Sequence, residues 1–99
     1  MKQKIKIVFA AFLLIAVVVS AGVYLNGKSV QVVIDPGHGG DDVGAVHGER
    51  YEKDDNLALA LLVNKKLREM EIETAMTRKR DKKVSLEKRC EFANKKEAD

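Results

Sequence analysis

From residue 7 to residue 25 the chain carries no charge. The run IVFAAFLLIAVVVSAGVYL is 19 residues long and follows MKQKIK, which holds three lysines and no acid. Its length approaches the roughly 20 residues needed to cross a bilayer, and a basic stretch ahead of an apolar one is the pattern of an export signal. Val19-Ser20-Ala21 could serve as a cleavage site, so the leader reads either as a cleaved signal peptide or as an uncleaved membrane anchor. It has no polar face, which argues against a buried core helix. Residues 1–27 are therefore set apart, as an N-terminal apolar helix, from a domain over residues 28–99.

Beyond the polar break Asn26-Gly27-Lys28-Ser29, residues 30–34 are almost wholly apolar and β-branched, which predicts a strand buried on both faces. Pro36 ends it. Residues 37–51 hold five glycines and predict a long loop, a kind of segment that in a compact domain is functional or disordered. Asp54 or Asp55 is positioned to cap a helix over residues 56–70, with Leu59, Leu62, Val63, Leu67 and Met70 on its inner face. Residues 72–77 predict a second strand, and RKRDKK a solvated charged turn. Ser85 is placed to cap a second helix reaching residue 96, with Leu86, Cys90 and Ala93 inward. The order β, loop, α, β, α predicts an α/β fold: the N-terminal portion of an open, mostly parallel sheet with helices packed on it. Two strands make a poor parallel sheet, so a further strand is expected beyond Asp99.

Charge changes the picture only at the leader. The chain has 18 Lys+Arg against 15 Asp+Glu, and the three leader lysines account for the whole excess. The pI near 9.0 is thus a targeting feature and not a nucleic-acid footprint. Basic residues before the apolar run also place the domain on the outer side of the membrane. The single cysteine, Cys90, excludes an internal disulfide framework and reads as a small buried residue.

The candidate chemistry lies in QVVIDPGHGG, residues 31–40. In open parallel sheets ligands bind at the carboxyl ends of strands, and His38 follows the first strand there. Glycines allow close backbone approach. A phosphate loop fails on detail: no G-x-x-x-x-G-K-[ST] is present, Asp42 breaks G-x-G-x-x-G, and Asp41 and Asp42 would repel phosphate. A catalytic zinc needs three protein ligands and an open position. His38 and Glu52, at the two ends of one loop, can converge on a metal, although such a spacing alone is weakly specific. His47, beside Gly48, reads as a solvated loop histidine. Asp35 reads as structural, and Asp41, Asp42 and Glu49 as loop charges.

VVIDPGHGGDDVGA, then YEKDDNLALALLVNKKL, then TAMTRKRDKKVSLEKRCEFANKKEAD closely resemble the zinc-dependent N-acetylmuramoyl-L-alanine amidases of bacterial cell-wall turnover, across nearly all of residues 30–99. The resemblance implies that His38 and Glu52 bind Zn2+. It also implies a third ligand, a histidine on the next strand, and a catalytic glutamate near the domain's end, neither of which lies in these 99 residues. The implied reaction is hydrolysis of the amide between muramic acid and L-alanine in peptidoglycan, outside the cytoplasmic membrane. The chain alone is expected to be inactive. A non-catalytic cell-wall binding module and a small single-pass membrane protein are the alternatives.

Overall fold

The computed structural model describes residues 29–99. The leader, and the apolar helix expected there, lie outside the described residues. The elements run β1 (Val32–Ile34), β2 (Val46–His47), β3 (Arg50–Tyr51), α1 (Glu52–Glu69), β4 (Thr74–Met76) and α2 (Leu86–Lys96).

β1 and β4 pair in parallel, Val32 opposite Thr74 and Ile34 opposite Met76. The expected crossover is therefore present: strand, helix α1, parallel strand, in a mixed α/β arrangement of a small parallel sheet and two helices. The register aligns the carboxyl ends of both strands. Asp35–Pro36–Gly37 leaves one end and Thr77–Arg78 leaves the other, and the Thr77 N–H reaches back to the Ile34 carbonyl at 3.1 Å.

The long loop is not wholly irregular. Within it β2 and β3 form an antiparallel hairpin, joined by Gly48 and Glu49, with Val46 opposite Tyr51. Gly48 has φ +60°, the left-handed conformation that a two-residue hairpin turn demands. The hairpin feeds directly into α1, which begins at Glu52, four residues before the expected start. Tyr51 is its N-cap and offers no side-chain bond, so Asp54 and Asp55 lie inside the first turn with Glu52. Carboxylates there meet the positive end of the helix dipole.

The inner face of α1 differs from the one expected. Lys53, Asn56, Leu57, Ala60, Asn64 and Leu67 are the less exposed residues, at helical spacing, while Leu59 and Leu62 are each 63% exposed. Polar anchors select this face. Asn56 Nδ2 donates to the Gly37 carbonyl at 3.2 Å, and Thr74 Oγ1 donates to Asn64 Oδ1 at 2.5 Å. Ala60 between them is small enough to bring the helix close to the sheet, and with Met76 it forms the buried apolar core of the described residues.

α2 begins as expected, with Ser85 Oγ accepting from the Lys88 N–H at 3.2 Å. Its inner face does not follow the apolar positions. Leu86 is 82% exposed and Cys90 is exposed, whereas Arg89 is buried. The helix docks through a guanidinium, and that anchor sets its rotation.

Candidate metal centre

The turn after β1 is closed by reciprocal backbone bonds between Gly39 and Asp42, 2.8 and 3.1 Å. It puts His38 itself at φ +60°, a conformation that costs a residue with a Cβ roughly 1 kcal/mol or more. Something must hold it there, and two arginines do. Arg89 donates to Asp35 Oδ1 at 2.6 Å and to the carbonyls of Pro36 (2.7 Å), His38 (3.0 Å) and Val84 (3.0 Å). Arg78 is only 2% exposed and donates to the carbonyls of Pro36, Gly37, Lys53 and Arg80. Burial, ahead of the neighbouring Arg89 charge, pushes the Arg78 guanidinium below its usual range. The RKRDKK segment is therefore no mere solvated turn, because its first residue is a buried clamp on the histidine loop. Asp35 is structural as expected, accepting from Thr77 Oγ1 at 2.7 Å as well as from Arg89.

A second strap crosses the glycines. Asp81 accepts from the Gly40 N–H and from Lys53 Nζ, each at 2.8 Å, while Lys53 Nζ also reaches the Gly40 carbonyl at 2.9 Å. A Cβ on Gly39 would collide with the Lys82 carbonyl oxygen, so this close crossing requires glycine. Lys53, ahead of the Gly40 N–H, holds the Asp81 carboxyl below its usual range. A carboxyl depressed on folding contributes stability above its unfolded pKa, and that contribution is lost as pH falls below about 4 toward the lowered folded value. Asp81→Asn should therefore show a shallower loss of stability on acidification than the parent chain, measured by urea melts at several pH values. Equal slopes would mean that the strap carries no such linkage.

His38 and Glu52 meet as the sequence predicted: His38 Nε2 lies 3.0 Å from Glu52 Oε2. Glu52 is the first residue of α1, and its other oxygen accepts from the Ala45 N–H at 3.1 Å. That bond, ahead of the His38 charge and against partial desolvation, holds the Glu52 carboxyl below its usual range. Gly44 lies between the two side chains. A Cβ there would sit 2.7 Å from His38 Cδ2 and 2.9 Å from Glu52 Cβ, so only glycine lets them approach. His47 stays exposed on the hairpin, opposite Arg50. It borders the same groove as Glu52 but does not join the pair.

One contact was not expected. His38 Nδ1 is 3.0 Å from Asp42 Oδ1, so Asp42 is no free loop charge. The His38 hydrogen bond holds the Asp42 carboxyl below its usual range. Each imidazole nitrogen thus faces a carboxylate, yet a neutral imidazole has one N–H to give. The arrangement is satisfied only when a proton or a metal cation stands at the second nitrogen. This donor set fits zinc. Ligand atoms about 2.0–2.2 Å from a tetrahedral zinc lie roughly 3.4 Å from each other, so the pair would open by a few tenths of an ångström. Among the described residues no third side chain completes a three-ligand set.

The fold and the His38–Glu52 pair together define an α/β domain with a candidate metal site at the carboxyl ends of its parallel strands. The profile of the family described as N-acetylmuramoyl-L-alanine amidase (Amidase_3) matches residues 32–99. The chain belongs to that family. It is 43% identical over 76 residues to the N-acetylmuramoyl-L-alanine amidase AmiA of Escherichia coli (strain K12), covering 75% of this chain and 26% of that protein. The structure of the amidase AmiC2 of Nostoc punctiforme aligns with a TM-score of 0.68 at 39% identity, over 72% of this chain and 40% of that one. The catalytic domain of the amidase CwlV from Bacillus (Paenibacillus) polymyxa var. colistinus aligns at 0.64 and 40% identity, over 67% and 38%. The chain spans less than half the length of each of these relatives.

Proposed function

We propose that these residues form part of a zinc-dependent amidase that cleaves the bond between muramic acid and L-alanine in peptidoglycan. The observation that carries the metal reading is the single imidazole set between two carboxylates, Asp42 on Nδ1 and Glu52 on Nε2. His38 Nε2 and Glu52 would hold the zinc. When bound, zinc would acidify a water and polarise the scissile carbonyl.

The chain's own residues supply the frame. The Ala45 N–H and the positive end of α1 keep Glu52 ionised and oriented. Arg78 and Arg89 hold the His38 loop by its carbonyls. Each member of the pair lines a surface groove of its own. One is lined by Asp35, Asp42, Val84 and Leu86 beside His38, the other by Ala45, His47 and Arg50 beside Glu52. Grooves beside both residues suit a polymer with chain on either side of the scissile bond. An exported address, given by residues 1–27 as a cleaved signal or as a membrane anchor through residues 7–25, would put the domain in the cell wall, where this substrate lies.

The test uses a protein that carries these residues in a complete amidase domain. Incubated with purified sacculi and zinc, it should release stem peptides with free L-alanine amino termini and produce no new glycan reducing ends. Binding to sacculi without release of amino termini would instead mark a non-catalytic wall-binding module.

A further inference from the structure

We propose that Asp42 is a positioning residue that accepts a hydrogen bond from the His38 Nδ1–H, keeps the hydrogen there, and so leaves Nε2 unprotonated, facing Glu52. The inference rests on reading His38 and Glu52 as a ligand pair and adds to it the group that decides which nitrogen is available.

The two nitrogens compete for one hydrogen. Nδ1 meets Asp42 Oδ1 in hydrogen-bond geometry, while Nε2 meets Glu52 Oε2 as an ion-pair contact, both at 3.0 Å. Glu52 cannot turn away, because its other oxygen is bound by the Ala45 N–H. Without Asp42, the favourable neutral form would carry its hydrogen on Nε2 and donate it to Glu52. The two ligands would then satisfy each other and close the site to a cation. Asp42 prevents this by offering Nδ1 the better acceptor. Its place is built by the chain, since the backbone bonds between Gly39 and Asp42 close a turn that brings the carboxylate back to the ring nitrogen four residues behind it. Hydrogen bonds of this kind to the far nitrogen of a ligating imidazole fix its tautomer and raise its basicity.

The Asp42 side chain is 48% exposed, and the pair is at the surface. Exposed pairs add little to stability, so a role in folding alone predicts almost no effect from its loss. Asp41 is the internal control. It is one residue away, carries the same charge and pairs with Lys83 Nζ at 3.3 Å instead of with the imidazole.

The experiment uses the full chain, 15N-labelled and held in detergent micelles on account of its apolar leader. Long-range 1H–15N spectra recorded without metal at about pH 8.5, above the ordinary imidazole range, report the His38 tautomer. The parent chain and Asp41→Ala should carry the hydrogen on Nδ1. Asp42→Ala should carry it mainly on Nε2, with a melting temperature close to that of the parent. In a complete amidase domain carrying these residues, titration with zinc should then show a Kd raised about 10- to 100-fold in Asp42→Ala and unchanged in Asp41→Ala. An Nε2–H tautomer in the parent chain, or an unchanged tautomer in Asp42→Ala, overturns the proposal. If the tautomer switches but zinc binds the complete-domain Asp42→Ala variant as tightly as the parent, Asp42 keeps its positioning role and the ligand reading of His38 Nε2 with Glu52 fails.

Discussion

Arg89→Ala is expected to lower the stability of the domain by about 3 kcal/mol or more, among the largest effects of any single substitution in the described residues. The guanidinium joins α2 to the carboxyl end of β1 through Asp35 and through the carbonyls of Pro36 and His38, and it bonds Val84 at the start of its own helix. Removing one partner of a buried pair costs about 3–5 kcal/mol. Asp35 is half-exposed and recovers some hydration, which puts the pair near the lower end. The abandoned carbonyls add to the loss, because buried acceptors left without donors cost about 1–3 kcal/mol each. Arg89→Lys should fall between parent and alanine, since an ammonium keeps the charge but cannot fork to several acceptors. Urea unfolding of the three proteins checks this. A change below about 1 kcal/mol in Arg89→Ala would mean that the clamp does not hold the loop.

Within a complete amidase domain, His38→Ala and Glu52→Ala should each lower amide hydrolysis at least about 10³-fold, because Lewis-acid stabilisation is worth several kcal/mol and each tenfold in rate is about 1.4 kcal/mol. Each variant removes one side of the 3.0 Å pair, while the loop around it keeps its arginine clamps. Folding should therefore survive where chemistry does not. His47→Ala should stay within about threefold of the parent, since the side chain is exposed on β2 and outside the pair. Stem-peptide release from sacculi, normalised to folded protein, measures all three. Near-normal turnover in Glu52→Ala would remove that residue from the site.

The approach of His38 and Glu52 was legible because its signals are local. An apolar strand followed by DPGHGG puts an imidazole at a strand end, and the acid that opens the next helix arrives at the same edge. The parallel order and the Ser85 cap were legible for the same reason. What the sequence hid depends on partners far along the chain. Arg78 and Arg89 bond residues 35–38, some 40 to 54 positions away, and nothing beside them distinguishes a buried arginine from a solvated one. The available hint was position: Arg78 follows β4 at the strand end where the His38 loop presents its carbonyls. The face of α1 was misread because large apolar residues lie on several sides of that helix, and Asn56, Asn64 and Ala60 select the one that packs. In the sequence Asp42 reads as a phosphate-repelling loop charge, and only the folded turn shows that it reaches the ring.

The central claim is that His38 and Glu52 hold a metal. It is tested most directly by zinc K-edge X-ray absorption on a complete amidase domain carrying these residues, compared with its His38→Ala variant. The account predicts one zinc per domain in the parent, with a shell of nitrogen and oxygen ligands at about 2.0–2.1 Å that includes imidazole scattering, and loss of most of the zinc from the variant. Full zinc occupancy with an unchanged ligand shell in His38→Ala would contradict it.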